Sequence, residues 1–404
     1  MSAARRVALL ALLVLANACG DGATVNPDTG VVTPTPKEPT AVTPVVADTT
    51  PGVTAALTIN LNALPNYASP MYPVHYDANV RSQDNTPAAN PVTDMGATLG
   101  RVLFHDRRLS INQTVSCASC HQRANGLTDG ERFSVGFNTV DRTGMHSMRL
   151  GNARFFTPGN AFWDRRAATI ETQVTQPIQD EIEMGFDAAH GGIAAVITRM
   201  NGLKYYPELF RLVFGDTVIT EFRMQRALAQ YVRSVVSTDS RFDAGFALVF
   251  STALPDRGLS APFTTLTAQE NRGKTLFTTP PQQGGAGCIA CHTSPTFALA
   301  ANSRSNGLDA GEARLFKSPS LKSAAIGGPY MHDGRFATLD QVVEHYNSGV
   351  QNGPALDNRL RLPNGTPLRL NLAAADKLAL AAFLRSLTDT VLVSNAKFSS
   401  PFRP

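Results

Sequence analysis

Apolar residues recur at helical spacing in three stretches of this 404-residue chain. In TLDQVVEHYNSG (Thr338 to Gly349), Leu339, Val342, Val343 and Tyr346 fall at i, i+3, i+4 and i+7, a single stripe for burial. Thr338 and Gln341 make a T-x-x-Q capping box, and Gly349 is a stop signal. His345 lies about 100° from Tyr346 on this wheel. A helix covering a cavity there turns Tyr346 inward and His345 aside. The stretch Ile219 to Val236 (ITEFRMQRALAQYVRSVV) has the same spacing and predicts a helix between two halves of the body. A third helix is predicted in NLAAADKLALAAFLRSLTD, with Asn371 as its N-cap. Strand-like alternation is scarce, so the fold class expected is mainly α with long loops.

The longest apolar run is different in kind. VALLALLVLA (Val7 to Ala16) follows Arg5 and Arg6 and is shorter than the roughly 20 residues of a membrane-spanning helix. Residues 1–18 read as a signal peptide. Ala18 before Cys19 points to lipoprotein processing with Cys19 as the lipidated first residue; an ordinary cleavage near Cys19, with Asn17 beside the site, is the alternative. The remainder of residues 19–65 reads as a flexible Thr/Pro-rich tether with few large apolar side chains. These features place the protein in the periplasm, touching a membrane only through the lipid. Losing residues 1–18 takes the net charge from +4 to +2, with 34 basic against 32 acidic residues. That balance gives no reason to expect nucleic acid.

Four of the five cysteines form two pentapeptides, Cys117-Ala-Ser-Cys120-His121 and Cys288-Ile-Ala-Cys291-His292. In C-x-x-C-H the two thiols add to the haem vinyl groups and the histidine binds iron. A redox C-x-x-C or half a zinc site is the alternative for a single copy. Two copies in an exported chain, each preceded by Gly-x-x-Leu-Phe (Gly100 to Phe104, Gly273 to Phe277), argue for two covalent haem c groups. The repeat predicts two c-type cytochrome domains, residues 66–258 and 259–404, packed around an inter-haem interface. His121 and His292 are then the proximal ligands.

The motifs LFHDRRLS (Leu103 to Ser110), SCASCH, FWDRRAATIETQ (Phe162 to Gln173), PIQDEIEMG (Pro177 to Gly185), FKSPSL (Phe316 to Leu321), PYMHDGRFATL (Pro329 to Leu339) and AAFLRSLT occur in one order. Together they resemble the bacterial dihaem cytochrome c peroxidases and their MauG-like relatives. The resemblance implies a peroxide-reacting first haem and an electron-relaying second haem. It assigns proton transfer to Glu183 assisted by Gln173, with Glu181 as a nearby alternative. It places Phe162 and Pro177 over the first haem and Trp163 between the two haems. Phe137 stands at the position of the histidine that blocks the first iron in some members, and phenylalanine cannot ligate. The family also holds a calcium ion between the haems, and His146 stands where it has an asparagine ligand. His146 is also the nearest substitute for the blocking histidine.

Fourteen residues past the HDG histidine, His332, the family has a methionine or, in MauG-like members, a tyrosine as distal ligand to the second iron; here it is Tyr346. From the residues alone, Tyr346 as a core tyrosine, with Met331 or no residue as ligand, remains the alternative, His332 being expected to hydrogen-bond near the haems. The function implied is hydrogen peroxide reduction, with electrons from a small periplasmic cytochrome c or cupredoxin. MauG-like oxidation of a client protein is the alternative, and a non-catalytic dihaem electron carrier is a third reading. A homodimer is compatible with the resemblance.

Overall fold

Threonines ahead of apolar runs start four of the main helices, at Thr93, Thr220, Thr267 and Thr338, each hydroxyl accepting an amide N–H that the first turn leaves unpaired. The computed structural model describes residues 50–157 and 159–404, together with Thr24–Val25 and Val32–Thr33. These last two pairs form an antiparallel two-stranded piece in a separate unit. The signal segment 1–18 and Cys19 lie outside the described residues.

In the main unit, α1 is Pro51–Ala56, α2 Asp94–His105, α3 Tyr205–Phe214, α4 Glu221–Ser234, α5 Ala268–Thr278, α6 Leu339–Glu344 and α7 Ala374–Ser386. Thr93 Oγ1 caps α2 through Gly96 N at 3.0 Å, and Thr220 Oγ1 caps α4 through Arg223 N at 3.2 Å. The box expected at Thr338 and Gln341 is formed, with Gln341 N donating to Thr338 Oγ1 at 3.2 Å and Thr338 N to Gln341 Oε1 at 3.1 Å. Strand in the main unit is confined, among the described residues, to His292–Thr293 against Ala298–Leu299. The fold is mainly helical, as its periodicity predicts.

Two large hydrophobic cores fill most of this unit, with a smaller cluster at Tyr76, Val80, Phe155 and Ala298. The first is built on α2, α3 and α4, with Leu99, Val102, Leu103, Leu209, Phe210, Leu228 and Tyr231 all buried. The second is built on α5 and α7, with Leu276, Phe277, Phe383 and Leu387. The most extensive helix contacts are α2 on α4 and α5 on α7. Both depend on the glycine of the Gly-x-x-Leu-Phe repeat. A Cβ on Gly100 would lie 2.1 Å from the Ala227 carbonyl oxygen, and one on Gly273 2.0 Å from that of Ala379. The repeat in the sequence is one helix crossing used twice.

Three boundaries differ from expectation. The tether does not extend to residue 65, because α1 is folded: Gly52 N and Val53 N donate to the Glu208 carboxylate of α3 at 3.0 and 2.8 Å, and Val53 is buried. The division at 258/259 does not follow the cores. Phe242 and Phe246 belong to the second core, whereas Leu392 and Phe398 return to the first. Arg101 draws that tail in through the Ser399 and Ala396 carbonyls at 2.7 and 3.1 Å. Finally, α7 starts at Ala374 behind Ala373, not at Asn371. The Leu372 amide is held by Asn347 Oδ1 at 2.8 Å and Asn371 has φ +50°, so the chain turns into the helix later.

Gly100→Ala and Gly273→Ala should each destabilise the protein by about 1–3 kcal/mol, the cost of overpacking. Helix propensity alone would predict a gain. Urea unfolding of each variant checks the sign.

Candidate haem sites and their shared wall

One helical turn, Cys117–Cys120, puts the two thiols of the first pentapeptide three residues apart on one face. Ser119 Oγ fixes the turn by accepting Ser116 N at 3.0 Å, and His121 N closes it onto the Cys117 carbonyl at 2.9 Å. The His121 ring is oriented through Nδ1, 3.3 Å from the Leu127 carbonyl and 3.2 Å from Ser147 Oγ. This leaves Nε2 free. Burial lowers the His121 pKa to about 4, which keeps the imidazole in the neutral form that binds metal. Cys120 and His121 open onto a cavity of about 340 Å³ whose wall includes Phe162, Trp163, Gln173, Pro177 and Glu183. Cys117 packs at the edge of the first core.

Asp180 folds the carboxylate loop of this cavity. Its Oδ1 accepts Ile182 N and Glu183 N, each at 2.9 Å, and its carbonyl accepts Gly185 N at 2.8 Å. Gly185 has φ +81°, and a Cβ there would meet the Phe137 ring at 2.6 Å. Phe137 therefore braces this loop, its N–H reaching the Ile182 and Glu183 carbonyls at 3.1 Å. Burial, then the neighbouring Asp180 charge, pushes the Glu183 carboxyl up to about 7. Glu181, the alternative acid, is exposed on the same loop and does not line the cavity. Arg166 stacks on Phe162, its guanidinium carbon 3.6 Å from the ring centre. His146 also lines the cavity, but both ring nitrogens are in use: Nε2 lies 3.0 Å from Thr128 Oγ1 and Nδ1 3.1 Å from the Glu131 carbonyl.

The second pentapeptide opens onto a larger cavity, about 420 Å³, lined by Cys288, Cys291 and His292 and by apolar residues including Phe277, Val343, Leu380 and Leu384. His292 is also held neutral, its pKa lowered to about 4 by burial. Its Nδ1 has no well-formed hydrogen bond, although the Phe297 carbonyl favours its protonated form. Tyr346 and Met331 both line this cavity, and Asn306 Nδ2 lies 3.4 Å from the Tyr346 hydroxyl and 3.5 Å from Met331 Sδ. Met331 has φ +74°. His345 turns away to the Asn306 carbonyl at 3.1 Å, as the wheel predicts. Residues 345–349 continue α6 as a π turn. Burial pushes the Tyr346 phenol up to about 12, so only a cation bound at its oxygen would release the proton near neutrality.

Both cavities have the size of ligand sites, about 300–1,000 Å³. The second joins a thiol pair and a neutral imidazole to a largely apolar wall, and the first joins Cys120 and the neutral His121 imidazole, with Cys117 one helical turn away at the edge of the first core; these donor sets and linings suit haem c. The two cavities also share a wall. Trp163 lines both, its Nε1 donating to the His146 carbonyl at 2.7 Å. His146 N in turn donates to the His332 carbonyl at 2.8 Å. The His332 ring stacks on Phe316 with centres 4.1 Å apart. Sequence reasoning missed Asp180, Arg149, Asn306 and Lys317. Asp180 and Lys317 stand inside quoted motifs; Arg149 and Asn306 stand in loops with no local pattern.

The chain matches the family model of di-haem cytochrome c peroxidase over residues 94–247. It is 33% identical over 319 residues to a methylamine utilization protein MauG of Methylorubrum extorquens, covering 74% of this chain and 80% of that protein. With the cytochrome c551 peroxidase of Nitrosomonas europaea it shares 29% identity over 280 residues, 64% of this chain and 74% of the other. A crystal structure of a MauG-like protein associated with microbial copper homeostasis superposes with a TM-score of 0.63 at 27% identity, over 85% of this chain and 99% of that one. The chain belongs to the di-haem cytochrome c peroxidase and MauG family.

Proposed function

We propose that this protein is a periplasmic dihaem peroxidase in which hydrogen peroxide is reduced in the Glu183 cavity and oxidising equivalents pass through the Trp163 wall to the second haem site. The observation that carries this reading is the pairing, in one cavity, of the His121 imidazole with a carboxyl whose pKa is about 7. When bound, the haems supply the two-electron reduction of peroxide and the route for replacing those electrons. His121 Nε2 and His292 Nε2 would hold the irons, and Cys117, Cys120, Cys288 and Cys291 the porphyrins. Glu183 takes a proton from one peroxide oxygen and returns it to the other as it leaves, the general acid–base role that a pKa near the working pH favours. Gln173, on the same wall, orients the peroxide. Phe162 and Pro177 keep bulk water from it.

Tyr346 favours one version of this function. A phenolate is a hard anionic donor that stabilises ferric and higher states, whereas a thioether such as Met331 stabilises ferrous iron. Tyr346 would hold the second iron, and a haem so held would share in storing oxidising equivalents, which suits MauG-like oxidation of a client protein. The default donor is otherwise a small cytochrome c or cupredoxin. No described helix is long and apolar enough to cross a membrane. Attachment through Cys19 accounts for membrane contact.

The deciding experiment adds one equivalent of hydrogen peroxide to the fully oxidised holoprotein. A Soret change within a second, with a near-infrared charge-resonance band, is expected. Reaction only after partial reduction would mean that a thioether on the first cavity's wall, Met145 or Met148, closes the iron. Below about pH 7 Glu183 is protonated and cannot accept the peroxide proton. Turnover should therefore rise as pH passes through about 7. In Glu183→Gln that limb should vanish and kcat fall by about 10²–10⁴-fold. Tyr346→Phe should abolish the near-infrared band while leaving the prompt Soret change in place.

A further inference from the structure

Most buried cations of this protein meet an acid or are caged by carbonyls. Lys322 pairs with Asp243, Arg233 with Glu171 at 2.6 Å and Arg154 with Asp84 at 2.7 Å. Arg101 and Lys274 each donate to two backbone carbonyls.

Arg149 and Lys317 are different. They are 8% and 7% exposed, and each lines both haem cavities. Arg149 reaches the Gly327 carbonyl, but its Nε–H is buried without an acceptor. Lys317 Nζ donates to the Asn160 carbonyl at 3.1 Å, one bond from a group with three donors. Among the described residues, neither has a carboxylate acting on it. The ionisable neighbour of Arg149 is Tyr330, and that of Lys317 is another cation, Arg165. Arg165 and Lys317 lie 5.7 and 4.5 Å from the centre of the same Phe156 ring. Burial lowers the pKa of Arg149 to about 10 and of Lys317 to about 8, so both are cationic at pH 7.

A buried charge without a counter-charge is strongly unfavourable. Both side chains face spaces whose expected occupant carries carboxylates, the two propionates of each haem. We propose that Arg149 and Lys317 are a carboxylate clamp common to the two haems, binding propionates from both cavities across the Trp163 wall. This rests on the reading of both cavities as haem sites. Because the clamp is shared, it sets the two reduction potentials together: a nearby cation favours the ferrous state, and removing it favours the ferric state at both irons.

The test uses holoprotein carrying Arg149→Gln, Arg149→Lys or Lys317→Met. A pyridine haemochrome assay first counts haem; thioether attachment does not require propionate contacts, so two per chain are expected. Fewer than two in the unsubstituted protein would overturn both the haem-site reading and the clamp. Spectroelectrochemical titration then reads the clamp itself. Arg149→Gln and Lys317→Met should each move the ferric–ferrous equilibrium of both haems about tenfold toward ferric, roughly 59 mV for a one-electron couple. Arg149→Lys should restore most of the Arg149→Gln shift, which a purely steric role would not do. With two haems present, a shift at one haem alone, or at neither, overturns the proposal. Melting supplies an independent sign: Lys317→Met should lower the Tm of the holoprotein by uncovering a propionate. A higher Tm would show that the lysine had no partner and would overturn the clamp.

Discussion

The structure depends on a close approach of backbones. At Gly100 against Ala227 and at Gly273 against Ala379, two helices meet where no side chain fits. Each crossing comes one turn before a Leu-Phe pair that is buried in its own core. From there the chain runs into the loop that carries a C-x-x-C-H pentapeptide. Helices held this close interlock over their remaining contacts, and dense packing transmits position with little slack. The two thiol–imidazole sets therefore stand at corresponding places relative to two similar cores.

Hydrogen bonds help join the two halves, beside an apolar cluster of Tyr76, Val80, Phe155 and Ala298. Trp163, His146 and His332 are linked in series, from the indole N–H to the His146 carbonyl and from the His146 N–H to the His332 carbonyl. His146 is anchored at both ring nitrogens, so its backbone is a fixed point. The wall is aromatic at Trp163, Phe316 and His332 and cationic at Arg149 and Lys317. In a low-dielectric interior these charges act over longer distances than they would in water. The same dielectric raises the Glu183 carboxyl on one side of the wall and the Tyr346 phenol on the other. Burial thus supplies a proton-exchanging carboxyl in one cavity and, in the other, a phenol that ionises only against a bound cation.

The halves are not consecutive pieces of chain. Residues 392 and 398 pack in the first core, and Phe242 and Phe246 in the second, so each core takes residues from across the expected boundary. The exchange explains why a division by motif order does not follow the cores. A pentapeptide needs only local geometry. A domain boundary depends on which apolar face a segment finds.

The sequence by itself determined the features whose causes are local: helical periodicity, the Thr338–Gln341 box, the side of the wheel on which Tyr346 lies, and the two C-x-x-C-H turns. It also carried the Gly-x-x-Leu-Phe repeat, since a glycine required by a crossing leaves a mark wherever the crossing recurs. The tertiary structure alone decided the rest. That His146 has no free nitrogen, that Phe137 braces the Glu183 loop, and that α1 docks on Glu208 all depend on partners distant in the chain. So does the approach of Asn306 to both Tyr346 and Met331. The separation of Arg149 and Lys317 from the acids among the described residues is of the same kind. A sequence shows which side chains carry charge or donors, but only the fold brings them together or keeps them apart, and the energies of burial and pairing arise at that step.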